Sequence, residues 1–403
     1  QPFLLGVNYW PRRKAMYWWS DFDAGEVREE FALIREIGLE VVRLFLTWED
    51  WQPVPDVVDP GALNHFEEVC EIAAGLGLRL NVTFFTGHMS GPSWTPSWML
   101  HPGQPMPPRI WQVVSGGRAV DCGYRNPFTD PLVLRAEELQ LRTVVSRFRQ
   151  HPAIEVWNLG NEPDIFAWPA DAAGGKEWTR RMTTLIREID PNHPVTCGLH
   201  VASLLEDNGL RVNDVFNEVD IPVMHGYPMY ADWSNGPLDS DFVPFLCALT
   251  TALCGKPSLM EEFGGCTAAP GQASFVHEWQ RYGNPFRQFM ASEEDLAAYI
   301  EAVLPKLVEV GALGAMIWCY ADYIPALYDR PPCDQAWHER FFGLVRPDGS
   351  LKPHAEVIKR FAASRPVVQP ARRPVSLDVT PEAYYQAPKR HAVRLYHTFS
   401  GGR

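Results

Sequence analysis

Two glutamates stand where short apolar runs break off into polar sequence: Glu162 closes IEVWNLGNE, and Glu262 lies at the end of LMEE within PSLMEEFGG. Other side chains hold the same kind of place. Arg43 lies in VVRLFLTW, His88 just past RLNVTFF, Asn161 beside Glu162, His225 and Tyr227 in IPVMHGY, and Trp318 in ALGAMIWCYAD. Polar groups at apolar strand ends need partners or water, so a set this consistent points to a site. Two carboxyls can divide one task, the protonated one donating to a leaving group while the ionised one attacks carbon. On a glycosidic bond this is hydrolysis with retained configuration, and it needs the carboxyls about 5 to 5.5 Å apart. Arg43 and Tyr227 are the candidates to keep Glu262 ionised.

The elements that must position these residues follow a single pattern, in which short apolar runs alternate with longer amphipathic stretches. Eight such units can be counted. Strands are expected at Leu4–Trp10, Val41–Trp48, from Arg79, Ile154–Glu162, VTCGLH, IPVMHGY, PSLMEEFGG and ALGAMIWCYAD, with helices from Asp23, from Pro60, and from about Asp130 to Gln150 among the connections. No Gly-rich phosphate turn follows the first strand, and eight units close without an edge, so the expectation is a (β/α)8 TIM barrel over residues 1–365 with its site at the strands' C-terminal ends. Residues 366–403 read as a linker and a tail, whose Tyr384, Tyr385 and Tyr396 suit docking on the barrel better than a separate domain. Alternation along a strand predicts that Glu261 and Glu262 point to opposite faces, with Glu262 in the site.

The composition excludes several classes. The formal net charge of −13 opposes nucleic-acid binding, and no apolar run is long enough to span a membrane. The 15 Trp, 13 Tyr and 21 Phe suit both a large core and stacking on sugar rings. The 8 Cys show no metal-ligand spacing, so no structural metal is expected, and two carboxyls that do the chemistry themselves imply no cofactor. Free thiols favour a reducing compartment, while a chain starting at Gln1 is compatible with a removed leader. Cytoplasmic and secreted locations both stay open, as does the oligomeric state.

WNLGNEPD at 157–164 and MEEFGG at 260–265 resemble the two catalytic signatures of clan A glycoside hydrolases, family 5 above all, in order across residues 1 to about 365. The resemblance implies that Glu162 is the acid/base and Glu262 the nucleophile, that Asn161 contacts the sugar 2-hydroxyl, and that Arg43, His88, His225, Tyr227 and Trp318 support them. Trp48 and Glu49 follow the second strand at the active face, where a sugar contact and a loop anchor are both open. Trp94 and Trp98 belong either to a sugar-stacking wall or to a rigid Pro-braced lid. The GVNYW opening and long aromatic loops resemble β-mannanases and β-mannosidases, which leans the substrate towards β-mannosides. Loops at 88–129, 228–242, 264–291 and 321–350 favour a walled pocket and exo action. A β-glucosidase, cellulase or β-galactosidase, a transglycosidase, and a catalytically silent sugar-binding scaffold are the alternatives.

Overall fold

The computed structural model describes residues 1–107 and 109–401. Eight parallel strands form its main sheet: β1 (Leu4–Asn8), β2 (Val41–Thr47), β3 (Arg79–Thr86), β4 (Ile154–Asn161), β5 (Val195–Gly198), β6 (Val223–His225), β7 (Leu259–Gly264) and β8 (Gly314–Trp318). Hydrogen-bonded neighbours run 5-4-3-2-1-8-7-6. The remaining seam, between β5 and β6, is joined by the isolated parallel bridges Thr196 to Ile221 and His200 to His225. The result is a (β/α)8 barrel.

Helices on the outside follow the local signals. α1 (Ala24–Ile37) starts at Asp23, whose carboxylate caps Gly25 and Glu26, and stops at Gly38, whose φ of 93° favours glycine. α2 (Pro60–Gly75) and α3 (Pro131–Phe148) each begin with an Asp cap followed by Pro. Among the described residues no helix is long and apolar enough to cross a membrane. Several strands end before their apolar runs do: β1 stops at Asn8, β6 at His225 and β8 at Trp318, where the chain bends into loops.

Two of those loops carry structure that periodicity did not signal. The loop after β3 folds a small sheet from Ser93–Trp94, Val113–Ser115 and Arg118–Val120, and the loop after β7 forms a hairpin from Phe275–Arg281 and Asn284–Met290. In the tail, the Tyr384 hydroxyl donates to the Leu204 carbonyl and that of Tyr385 to the Ser203 carbonyl, at 2.7 and 2.8 Å. Tyr396 packs its ring among Trp233, Phe242 and Phe245.

Candidate active site

The site is built upward from a cation inside the barrel. Arg43 on β2 is fully buried, and its planar fork spends its donors on several elements at once. Nη1 meets Glu262 Oε1 at 2.5 Å and Asn8 Oδ1 at 3.1 Å, Nη2 meets Asn161 Oδ1 at 3.0 Å, and Nε meets Thr83 Oγ1 at 3.0 Å. Glu261 Oε2 lies 3.4 Å from Nη2. A buried guanidinium is tolerable because two carboxylates and three neutral acceptors surround it.

The strand carrying Glu262 breaks the expected alternation. The register of β7 slips between Met260 and Glu262 against β6, and again before Phe263 against β8. This bulge places two residues opposite one, so Glu261 also turns into the barrel instead of towards the helices. That corrects the alternation argument. Glu261 sits below the cavity, accepting from Asn81 Nδ2 at 2.6 Å, Asn158 Nδ2 at 2.9 Å and His225 Nε2 at 3.0 Å. Burial disfavours its charge, yet Arg43, His225 and Asn81 together hold its carboxyl below the usual range.

Above it, His225 bridges three acids. Its Nδ1 lies 3.1 Å from Glu162 Oε1 and 3.4 Å from Glu262 Oε1, while its Nε2 holds Glu261. Burial lowers an imidazole, but Glu262, Glu162 and Glu261 reverse this and raise His225 to about 9. Tyr227 donates its hydroxyl to Glu262 Oε2 at 3.0 Å. Glu162 sits in the left-handed region at φ 47°, ψ 51°, a strained position held by Glu162 N donating to the Gly198 carbonyl at 2.8 Å. Asn161 is oriented by accepting from Arg43 and donating to the His88 carbonyl at 2.9 Å.

A carboxylate oxygen of Glu162, one of Glu262 and a nitrogen of His225 all lie within 4.8 Å of one another. This trio could in principle hold a metal ion, but Arg43 already sits against Glu262 as a cation. Two carboxyls this close titrate as a pair. Burial raises Glu262 and so does the charge of Glu162, against the pull of His225, Arg43 and the Tyr227 hydroxyl. For Glu162, burial is opposed by imidazoles only: with His200, His225 and His88 all charged, their fields would draw it well below the carboxylate range. Burial, however, lowers His88 to about 4 and lowers His200 as well. Near neutral pH only His225 remains charged beside Glu162, whereas Glu262 keeps a permanent guanidinium. Glu262 is thus the carboxyl of the pair with a permanent cation against it, and Glu162 the one without.

These groups open onto a cavity of about 730 Å³, bordered by Asn161, Glu162, Tyr227, Glu262, Trp318 and His88. Arg43 and His225 form its supporting floor. Three residues for which a sugar contact and a structural role were both open take the structural one. Trp48 is buried and donates to Gln52 Oε1 at 3.0 Å, because its ring packs among Phe85, Trp98 and Phe166. Trp94 is buried and donates to the Met89 carbonyl at 3.1 Å, so the β3 loop is braced by its Trp residues and does not present them. Glu49 caps the Gly116 amide and, with Trp94, borders a separate cavity of about 270 Å³. Conversely, His200, Arg281, Glu339 and Trp111 border the cavity with no motif in the sequence to mark them, and Glu261, expected on the opposite face, joins the network beneath it. The Glu261–Glu262 doublet was the one visible signal.

The model for "Glycosyl hydrolases family 2, TIM barrel domain" matches residues 110–361. The chain belongs to this family of glycosyl hydrolase barrels. An exo-β-1,4-mannosidase from Opitutaceae bacterium strain TAV5 superposes with a TM-score of 0.73 at 27% identity, over 90% of this chain and 59% of that one. A family 5 subfamily 18 protein from Streptomyces cattleya, solved with GlcNAc, shares the fold with a TM-score of 0.79 at 20% identity, covering 100% of this chain and 92% of that one. A probable mannan endo-1,4-β-mannosidase F from Aspergillus flavus is 29% identical over 154 residues, 34% of this chain and 32% of that protein. The chain thus spans about a third of that curated relative's length.

Proposed function

We propose that this protein is a retaining β-glycoside hydrolase that removes β-linked mannose from a chain end. The observation that carries the reading is the pair of carboxylates within 4.8 Å, one held by Arg43 and Tyr227 and the other lacking a permanent cation. In the first step a Glu262 oxygen bonds to the anomeric carbon as the glycosidic C–O bond breaks, and Glu162 passes its proton to the departing oxygen. In the second, Glu162 takes a proton from water, whose oxygen attacks the anomeric carbon and frees Glu262. Asn161 meets the sugar beside the reacting carbon, and Trp318 offers a flat apolar face for the ring. The mannosidase names of the relatives support the sugar. Loops after β3, β7 and β8 border the cavity, which supports action at chain ends.

The test assays wild type, Glu162→Gln and Glu262→Gln on 4-nitrophenyl β-glycosides and short β-1,4 oligosaccharides, with azide added to the first variant. Expected are loss of turnover in both, rescue as a β-glycosyl azide for Glu162→Gln alone, and preference for mannose. Wild-type inactivity on every sugar with binding intact would point to a silent binding scaffold instead.

A further inference from the structure

One stretch of the cavity wall comes from three separate segments: Ser90 and Gly91 after β3, Arg281 on the hairpin after β7, and His338 and Glu339 after β8. Arg281 lies across Gly91, where any side chain would collide with the guanidinium. The rings of Tyr282 and Phe286 flank it, with centroids 5.1 and 4.8 Å from the guanidinium carbon. The hairpin is fixed to the β8 loop: Trp279 Nε1 donates to the Gln335 carbonyl at 2.8 Å, Tyr282 N donates to Gln335 Oε1 at 2.9 Å, and His277 stacks on Trp337. The guanidinium is therefore held in place before any ligand arrives.

What it is held for follows from missing partners. Among the described residues Arg281 makes no ion pair, and its buried Nε has no acceptor, just as the buried His88 Nδ1 lacks a partner. Glu339 is the nearby acid. Burial raises it to about 7 against the pull of Arg281 and Ser90, and both Glu262 and Glu162 push it further, so it borders the reacting centre. A fork of N–H donors beside a carboxyl, neither consumed by the other, matches adjacent ring hydroxyls, which accept from the guanidinium and donate to the carboxylate.

We propose that Arg281 and Glu339, with Ser90, form a diol-binding subsite that grips the hydroxyls of the sugar ring attacked by Glu262 and so sets which sugar is accepted. This rests on the glycosidase reading above. The experiment compares wild type, Arg281→Met and Glu339→Gln on 4-nitrophenyl β-mannoside, which offers hydroxyls on that ring only, and on its 3-, 4- and 6-deoxy analogues. Expected is a rise in KM of about tenfold or more with kcat nearly unchanged, since this binding is shared by ground and transition states. At least one deoxy analogue should lose activity with wild type but show no further loss with the variants. Retained kcat reports a folded enzyme, and Glu339→Gln carries the test alone if Arg281→Met does not fold. An unchanged KM with an active wild type, or an effect seen on mannobiose but not on the aryl mannoside, overturns the subsite. A wild type inactive on all β-glycosides overturns the glycosidase reading instead.

Discussion

Tyr227→Phe removes one oxygen and leaves the ring in place. The lost contact is the hydroxyl donating to Glu262 Oε2 at 3.0 Å. Burial and the neighbouring acids raise the Tyr227 hydroxyl well above its ordinary value, so it remains a neutral donor throughout the working range. A hydrogen bond to a buried charged group is worth about 1.5 to 3 kcal/mol, and it favours ionised Glu262. Without it the nucleophile holds its proton to higher pH. The acid limb of kcat/KM should move up by about one to two pH units, so kcat/KM on the acid side of both limbs should fall by about 10- to 150-fold. The assay is kcat/KM for 4-nitrophenyl β-mannoside from pH 4 to 9, with thermal unfolding as the control for folding. An acid limb that stays in place, or one that moves down, would refute the assignment of this contact to the nucleophile.

Three further outcomes follow from the same network. Arg43→Met strands Glu261 and Glu262 in the barrel and should cost about 3 to 5 kcal/mol of stability by urea unfolding; Arg43→Lys should recover only part of this, because three donors cannot replace the fork. Glu261→Gln removes a negative charge beside His225, so the His225 NMR titration should fall below about 9. In the wild type that raised value stabilises the fold fully below pH ~6.5 and is lost as pH rises through about 9, so the variant's urea midpoint should decline less over this window. Glu49→Gln and Trp94→Phe lie outside the main cavity and should leave KM for mannosides unchanged, which a sugar-contact role would not allow.

Much of this site was legible because barrel strands are short apolar runs, and a charged residue at the end of such a run has few places to go. Glu162, Glu262, Asn161, Tyr227, His88 and Trp318 do border one cavity, with Arg43 and His225 beneath it. Strict alternation misread Glu261, because a bulge is a local slip in register that leaves no mark on periodicity. For Trp48 and Glu49 after the second strand and Trp94 in the long Pro-rich loop, a sugar contact and a structural role were both open; the two Trp gain more from burial in the loops than from exposure at the cavity, and Glu49 caps a backbone amide. Arg281 and Glu339 lie in loops whose course is set by tertiary contacts such as Trp279 with Gln335, which no pattern in the chain announces.

The account stands most directly on Glu262 as the atom donor of a covalent intermediate. Incubation with 2-deoxy-2-fluoro-β-mannosyl fluoride, followed by intact-protein mass spectrometry and peptide mapping, should show one added fluoromannosyl group on the peptide containing Glu262, and none in Glu262→Gln. An adduct on another residue, or turnover with no adduct and an α-configured first product by NMR, would contradict it.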